Sequence, residues 1–125
     1  MSGAVWTYLG AFLLLGWGIA HLFPTRNVVR GFGEISLDNK RIITMEWVTE
    51  GVTLIFVGLL VAAVTYLDRT HVVSKTVYWA SFVVLNVLSF VSLFTGFRNS
   101  FIAFKLCPFI FSSTSILIVI GGYSG

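Results

Sequence analysis

Four long apolar runs, separated by shorter polar stretches, set the pattern of this chain: residues 5–23, 43–67, 76–97 and 101–121. About 20 predominantly apolar residues in a helix cross a hydrocarbon core of roughly 30 Å, so each run is long enough to span. None shows the every-other-residue alternation of a barrel strand, and in lipid every backbone N–H and C=O needs an internal partner. The pattern therefore predicts four transmembrane helices. The polar stretch 68–75 is short, which predicts that helices 2 and 3 are antiparallel neighbours.

Details within the runs sharpen the expectation. Gly10, Gly16, Gly18 and Ala20 are small residues that let another helix approach helix 1 closely. Trp6, Tyr8 and Trp17 bracket that helix, and Tyr78 and Trp79 open helix 3, as aromatics do near headgroups. Pro108 predicts a kink in helix 4, with Ser112, Ser113, Thr114 and Ser115 placed to satisfy the backbone it frees. The first run has neither a basic stretch before it nor a small-residue cleavage site, and reads as a retained helix rather than a signal peptide.

The longest polar interval, residues 24–42, is long for a helix hairpin, and such loops are usually functional or disordered. Its content argues for order. Val28, Val29, Phe32, Ile35 and Leu37 suit the membrane surface while Arg30, Glu34 and Asp38 face water. Gly31 and Gly33 permit a tight turn, and Ser36 or Asp38 is a cap for helix 2. The expected fold class is all-α: a polytopic membrane protein whose residues 1–125 form one four-transmembrane-helix bundle, with an interfacial loop between helices 1 and 2.

Composition supports the membrane assignment. Hydrophobic residues make up 57% of the chain and charged residues 10%, with a mean hydropathy of +0.94. A soluble domain of this size has too little interior to hide that many Leu, Val, Ile and Phe. The net charge of +3 comes without a basic run interleaved with aromatics, so nucleic acid is not the expected partner. The bilayer is. Cys107 is the only cysteine, which excludes an internal disulfide, a CxxC pair and a thiolate metal cage.

Charge also gives an orientation. The connections after helices 1 and 3 carry Arg26, Arg30, Lys40, Arg41 and Arg98, with Lys105 able to snorkel towards them, whereas the opposite side has Arg69 and Lys75. The positive-inside rule makes loops 1 and 3 cytoplasmic and both termini external. A short echo joins the halves, Leu22-Phe23-Pro24-Thr25-Arg26-Asn27 against Leu93-Phe94-Thr95-Gly96-Phe97-Arg98-Asn99. A duplicated two-helix hairpin leaves such a trace, and so does chance.

Eight of the thirteen charged residues fall between His21 and Glu50. Glu46 and Glu50 are spaced i, i+4 and share one face of helix 2, with Thr53 about one turn deeper. A carboxylate in hydrocarbon costs a few kcal/mol, so it is expected to face other helices and to be paired, hydrated or protonated. A functional site and a structural pair with Arg26 or Arg30 are equal readings. His21 ends helix 1 on the same membrane side; it reads either as a histidine satisfied by a backbone carbonyl or as part of a His21, Glu46, Glu50 cluster for proton relay or metal. Three ligands from two helices fall short of a di-iron set, and His71 lies on the other side, away from His21, so no metal or haem is expected. Asn86 and the helix 4 hydroxyls read as interhelical hydrogen-bonding groups or as the lining of a polar cavity. Cys107 reads as a small buried filler.

The end of helix 1, LLLGWGIAHLF, followed by EWVTEGVTLIFVGLLVAAVTYLDR, resembles the DoxX-like family of small four-helix membrane proteins. The resemblance covers about the first half of the chain. It puts His21 at the family's basic position and Glu50 at its acidic position, and it implies a membrane component that assists a redox or quinone-linked partner. Taken together, the expectation is a small accessory or binding protein. Its polar pocket, formed by His21, Arg26, Arg30, Glu46, Glu50 and Asn86, engages a lipid, a quinone or a partner subunit, which can be another membrane protein or a second copy. Two rivals stand beside it: an intramembrane acid-base enzyme of the isomerase type, with Glu46, Glu50 and His21 as candidate catalytic groups, and a proton-coupled small transporter carrying protons on Glu50.

Overall fold

The structure, a computed structural model, describes residues 2–96 and 102–124, which leaves Arg98 and the Phe97-Arg98-Asn99 part of the echo outside the described residues. Among the described residues five helices follow one another: α1 (Gly3–Leu22), α2 (Thr25–Gly31), α3 (Leu37–Asp68), α4 (Val72–Thr95) and α5 (Ile102–Tyr123). Four of them, all but α2, are long and apolar enough to cross a membrane. That number, and the lengths behind it, are consistent with a multi-pass integral membrane protein.

The interval after α1 is mostly helical, not an irregular loop. Residues 25–31 form α2, and only 32–36 separate it from α3, with Gly33 at a φ of 73°. A side chain there would meet the left-handed penalty that glycine avoids. Ser36 then caps α3, its hydroxyl oxygen accepting from the Asn39 N–H at 3.1 Å. Asp38 in the first turn complements the positive end of the helix. The cap starts α3 six residues earlier than the apolar run at residue 43 predicts. At 1.5 Å per residue the 32-residue helix is about 48 Å long, well beyond a hydrocarbon core of roughly 30 Å. Its buried positions begin only at Gly51. Residues 37–42 are all exposed, so the first turns of α3 stand clear of the close helix packing and carry Asp38, Lys40 and Arg41.

Helix α1 packs against both α3 and α5, α4 packs on α5 and more lightly on α3, and α2 lies against α3. Small residues decide how close these helices come. A Cβ on Gly58 would sit 2.8 Å from the Ala11 carbonyl oxygen, and one on Gly18 would sit 3.0 Å from that of Gly51. Without side chains at these points the α1 and α3 backbones approach to contact, as in small-residue packing of membrane helices. Gly10 does the same for α5, 3.0 Å from the Thr114 carbonyl oxygen. Gly16 differs from expectation: open space surrounds it and it faces outward.

The core is a column of fully buried side chains: Ala11 and Leu14 on α1, Leu54 and Val61 on α3, Tyr78 and Leu85 on α4, Phe111 and Ile118 on α5. Tyr78 is thus not an interfacial aromatic. Its hydroxyl meets Thr65 Oγ1 at 2.8 Å, and Thr65 in turn hydrogen-bonds the Val61 carbonyl at 2.6 Å. Trp79, next to it, stays exposed and packs edge-on to Tyr123.

The end of the molecule that holds the α3–α4 turn is tightly tied. Asp68 accepts from the N–H and hydroxyl of Thr70 at 2.9 and 2.7 Å, and Ser74 donates to the Asp68 carbonyl at 2.6 Å. His71 Nδ1 caps α4 through the Val73 N–H at 3.2 Å. Arg69 reaches across to the end of α5, donating to the carbonyls of Gly121 and Ser124, both at 2.6 Å. A guanidinium at the last carbonyls of a helix satisfies acceptors that have no partner within the helix and opposes the negative end of its dipole.

Candidate functional site

The opposite end, where α1 and α4 finish and α3 and α5 begin, is built differently. His21 occupies the last turn of α1, on the same buried stripe as Leu14 and Gly18. Trp47 lies one helical turn before Gly51 on α3, where that helix meets α1. The two rings stack, with centroids 3.9 Å apart and planes 15° from parallel. Each side chain also bonds the other residue's backbone. Trp47 Nε1 donates to the His21 carbonyl at 2.7 Å, and His21 Nε2 lies 3.1 Å from the Trp47 carbonyl. A carbonyl oxygen only accepts, so Nε2 carries the hydrogen. The His21 carbonyl is one of the four that a helix end leaves without an intrahelical partner, and the indole satisfies it.

Glu50 stands one turn further along α3 from Trp47. Its Oε2 is 3.6 Å from His21 Nε2, an ion-pair separation when the imidazole is protonated, and its side chain is 38% exposed against 6% for His21. The histidine is therefore satisfied by a backbone carbonyl and faces a carboxylate at once. The geometry contains the first of the two readings open from sequence, the histidine satisfied by a backbone carbonyl, and of the second only the approach of Glu50 to His21.

Two cavities meet at this pair. The larger, about 620 Å³, runs between α3, α4 and α5, and both Glu46 and Glu50 line it with Thr53, Ser92, Thr95 and Phe104. The smaller, about 410 Å³, lies between α1, α2 and α5, bounded by Trp17, Ala20, Pro24, Asn27, Phe104 and Cys107. His21, Val28, Trp47, Phe104 and Cys107 line both. Small-molecule sites are commonly about 300–1,000 Å³, mostly apolar, with few polar groups. The stacked His21–Trp47 rings form the shared wall, and Phe104 braces it by meeting Trp47 edge-on at 5.5 Å.

The residues expected to form one pocket are divided. His21, Glu46 and Glu50 come together at the larger cavity. Arg26 and Arg30 do not join them: with Thr25, Val29 and Thr44 they border a separate groove on the outer side of α2 and α3. Neither arginine pairs with Glu46 or Glu50, and the ion pairs among the described residues are His21–Glu50 and the exposed Asp38–Arg41 at 3.7 Å. The reason is geometric, since α2 presents these arginines away from the α3 face that carries the carboxylates. Asn86 is deeper, in a polar seam between α4 and α5, where it donates to the Phe82 carbonyl at 2.7 Å and to Ser115 Oγ at 3.0 Å. Ser89 extends the seam, bonding the Pro108 carbonyl at 2.9 Å and Ser112 Oγ at 2.8 Å. Among the described residues no three His, Cys, Asp or Glu side chains converge as a metal site.

Sequence reasoning passed over Trp47 and Phe104, and read Trp17 as an interfacial aromatic, whereas it packs against the core and borders the smaller cavity. For Trp47 a signal existed, because it falls at i−4 from Gly51 and i−3 from Glu50, on the face where α3 must approach another helix. No family model, no curated protein and no solved structure matches this chain.

Proposed function

We propose that this chain is a small integral membrane accessory or binding protein whose two-part cavity at the His21–Trp47 end receives the polar end of an amphipathic molecule, a lipid or a quinone. The observation that carries this reading is the conjunction at one place of a buried histidine, a carboxylate at 3.6 Å and two adjoining cavities walled largely by aromatic and aliphatic side chains. An ionisable pair in a membrane-spanning helix is costly, and a ligand that completes its hydrogen bonding is a standing reason to keep it. The four long helices are read as a transmembrane bundle, with α2 on the membrane surface. Arg26, Arg30, Lys40 and Arg41 put that end on the cytoplasmic side and engage anionic headgroups outside the cavity. The exposed apolar helix faces leave room for a partner subunit or a second copy. The DoxX-like resemblance agrees with this reading through His21 and Glu50, which stand together here.

A second reading, an acid-base enzyme of the isomerase type, is favoured by the approach of His21 to Glu50 beside a cavity, since paired groups with separated proton affinities can donate and accept in turn. Against a proton-coupled carrier stands the far end, where Tyr78, Thr65 and Arg69 fill and tie the interior.

Native mass spectrometry from neutral maltoside micelles tests the proposal. A retained lipid or quinone, displaced in Glu50→Gln, is the expected result. Wild type and Glu50→Gln that both fly empty after incubation with total lipid and with a quinone would sink it. Turnover of a bound isoprenoid or sterol that Glu50→Gln abolishes, with its binding intact, would transfer the case to the enzyme reading.

A further inference from the structure

Four of the chain's eight Lys and Arg residues gather on the outer side of α2 and α3. Arg26 and Arg30, four residues apart and so on one face of α2, border one groove with Val29 and Thr44. Lys40 and Arg41 border a second groove with Met45 and Val48. Thr44 lines both, so the two grooves adjoin there, where α2 lies against α3.

The chemistry left free in this place is cationic. Thr25 Oγ1 donates to the Leu22 carbonyl at 2.6 Å and Thr44 Oγ1 to the Lys40 carbonyl at 2.7 Å, so both hydroxyl hydrogens are committed within the protein. Asp38 takes Arg41 at 3.7 Å, and among the described residues Arg26, Arg30 and Lys40 have no carboxylate at ion-pair distance. Glu34 and Asp38 are the acidic residues between α1 and Thr44, and neither lines a groove. A guanidinium presents a fork of N–H groups that matches phosphate oxygens, and two forks on one helix face can share one phosphate.

Beyond the cations the surface of α3 turns apolar. Met45, Val48, Val52 and Phe56 follow at steps of three and four residues and are all exposed, which makes a stripe leading from the second groove along the helix. A free phosphate would use the cations and leave the stripe bare. A lipid without net charge would cover the stripe and leave the cations unanswered. An anionic phospholipid meets both.

We infer that α2 and the first turns of α3 hold one anionic glycerophospholipid, its phosphate gripped by Arg26 and Arg30 with Lys40 beside them, and an acyl chain along Met45, Val48 and Val52. The inference rests on the surface placement of α2 proposed above and turns a diffuse attraction of headgroups into a discrete site. It needs no ligand in either cavity.

Native mass spectrometry of the full chain in neutral maltoside micelles tests it, with dioleoyl phosphatidylglycerol and dioleoyl phosphatidylcholine titrated separately. The expected result is one phosphatidylglycerol adduct that saturates before a second forms, with phosphatidylcholine roughly tenfold weaker or more. Arg26→Gln and Arg30→Gln are each expected to weaken phosphatidylglycerol roughly tenfold. Lys75→Gln, the same change of charge at the other end of the molecule, is not. Glycerol 3-phosphate in large excess, a headgroup without chains, is expected to displace nothing. Both arginines are exposed, and their two variants report independently. Equal weakening by Arg30→Gln and Lys75→Gln would reduce the effect to net charge, and equal binding of the two lipids would deny the cations a part. Displacement by glycerol 3-phosphate would make the site one for a free phosphate. Each of these overturns the inference and leaves the cavity reading untouched. An adduct lost in Glu50→Gln but kept in both arginine variants would put the lipid in the cavity, overturning this inference and supporting that reading.

Discussion

His21 and Trp47 hold each other twice, ring on ring and side chain on backbone, across the junction of α1 and α3. The indole N–H donates to the His21 carbonyl at 2.7 Å while the imidazole Nε2–H points at the Trp47 carbonyl 3.1 Å away. The arrangement ties the end of α1 to the third turn of α3, and it fixes the imidazole edge that Glu50 approaches.

Trp47→Phe keeps the stacked ring and removes the indole donor, leaving the His21 carbonyl unsatisfied. A loss of about 1–2 kcal/mol in the free energy of unfolding is expected. Unfolding by sodium dodecyl sulfate measures it. A double-mutant cycle with His21→Phe should show coupling, because the two residues share both contacts.

Gly58 and Gly16 make opposite predictions for the same chemical change. Gly58→Val drives a side chain into the Ala11 carbonyl, 2.8 Å from where its Cβ would lie, and should separate α1 from α3. Gly16→Val meets open space and should be tolerated. Comparison of monodisperse yield and thermal stability in one detergent distinguishes them. Equal behaviour of the two variants would contradict the close α1–α3 approach.

Tyr78→Phe deletes the hydroxyl that meets Thr65 while Thr65 keeps its bond to the Val61 carbonyl. Interhelical hydrogen bonds in membrane proteins average about 0.6 kcal/mol, so a small destabilisation is expected, and almost none when Thr65→Val is already present. The cycle is read from the same detergent unfolding curves.

Arg69→Ala removes the donor to the Gly121 and Ser124 carbonyls. The last turn of α5 should fray, with faster amide hydrogen exchange confined to that turn. Ligand retention at the His21 end, at the far side of the molecule, should not change.

The apolar runs announced four long helices because hydrocarbon demands that each span satisfy its own backbone, a local requirement that one stretch of sequence expresses in full. The all-helical class and the antiparallel turn between α3 and α4 follow from the same logic. Ser36 as a cap was legible too. Its effect on helix length was not, because Asp38, Asn39, Lys40 and Arg41 interrupt the apolar signal, and the helix starts where Ser36 accepts from the Asn39 and Lys40 N–H groups. For the candidate site, the i, i+4 spacing put Glu46 and Glu50 on one face without the tertiary structure.

Which groups meet across helices depended on how the backbones pack. The sequence by itself determined helices, their approximate lengths and the charge-rich end, since these rest on neighbours a few residues apart. Only the tertiary structure decided that His21 faces Trp47 and Glu50, and that Arg26 and Arg30 turn to another groove. The physical reason lies in the small residues: Gly18, Gly51 and Gly58 let α1 and α3 approach to backbone contact, and that approach sets the rotation of each helix. A charge count holds no record of such a rotation.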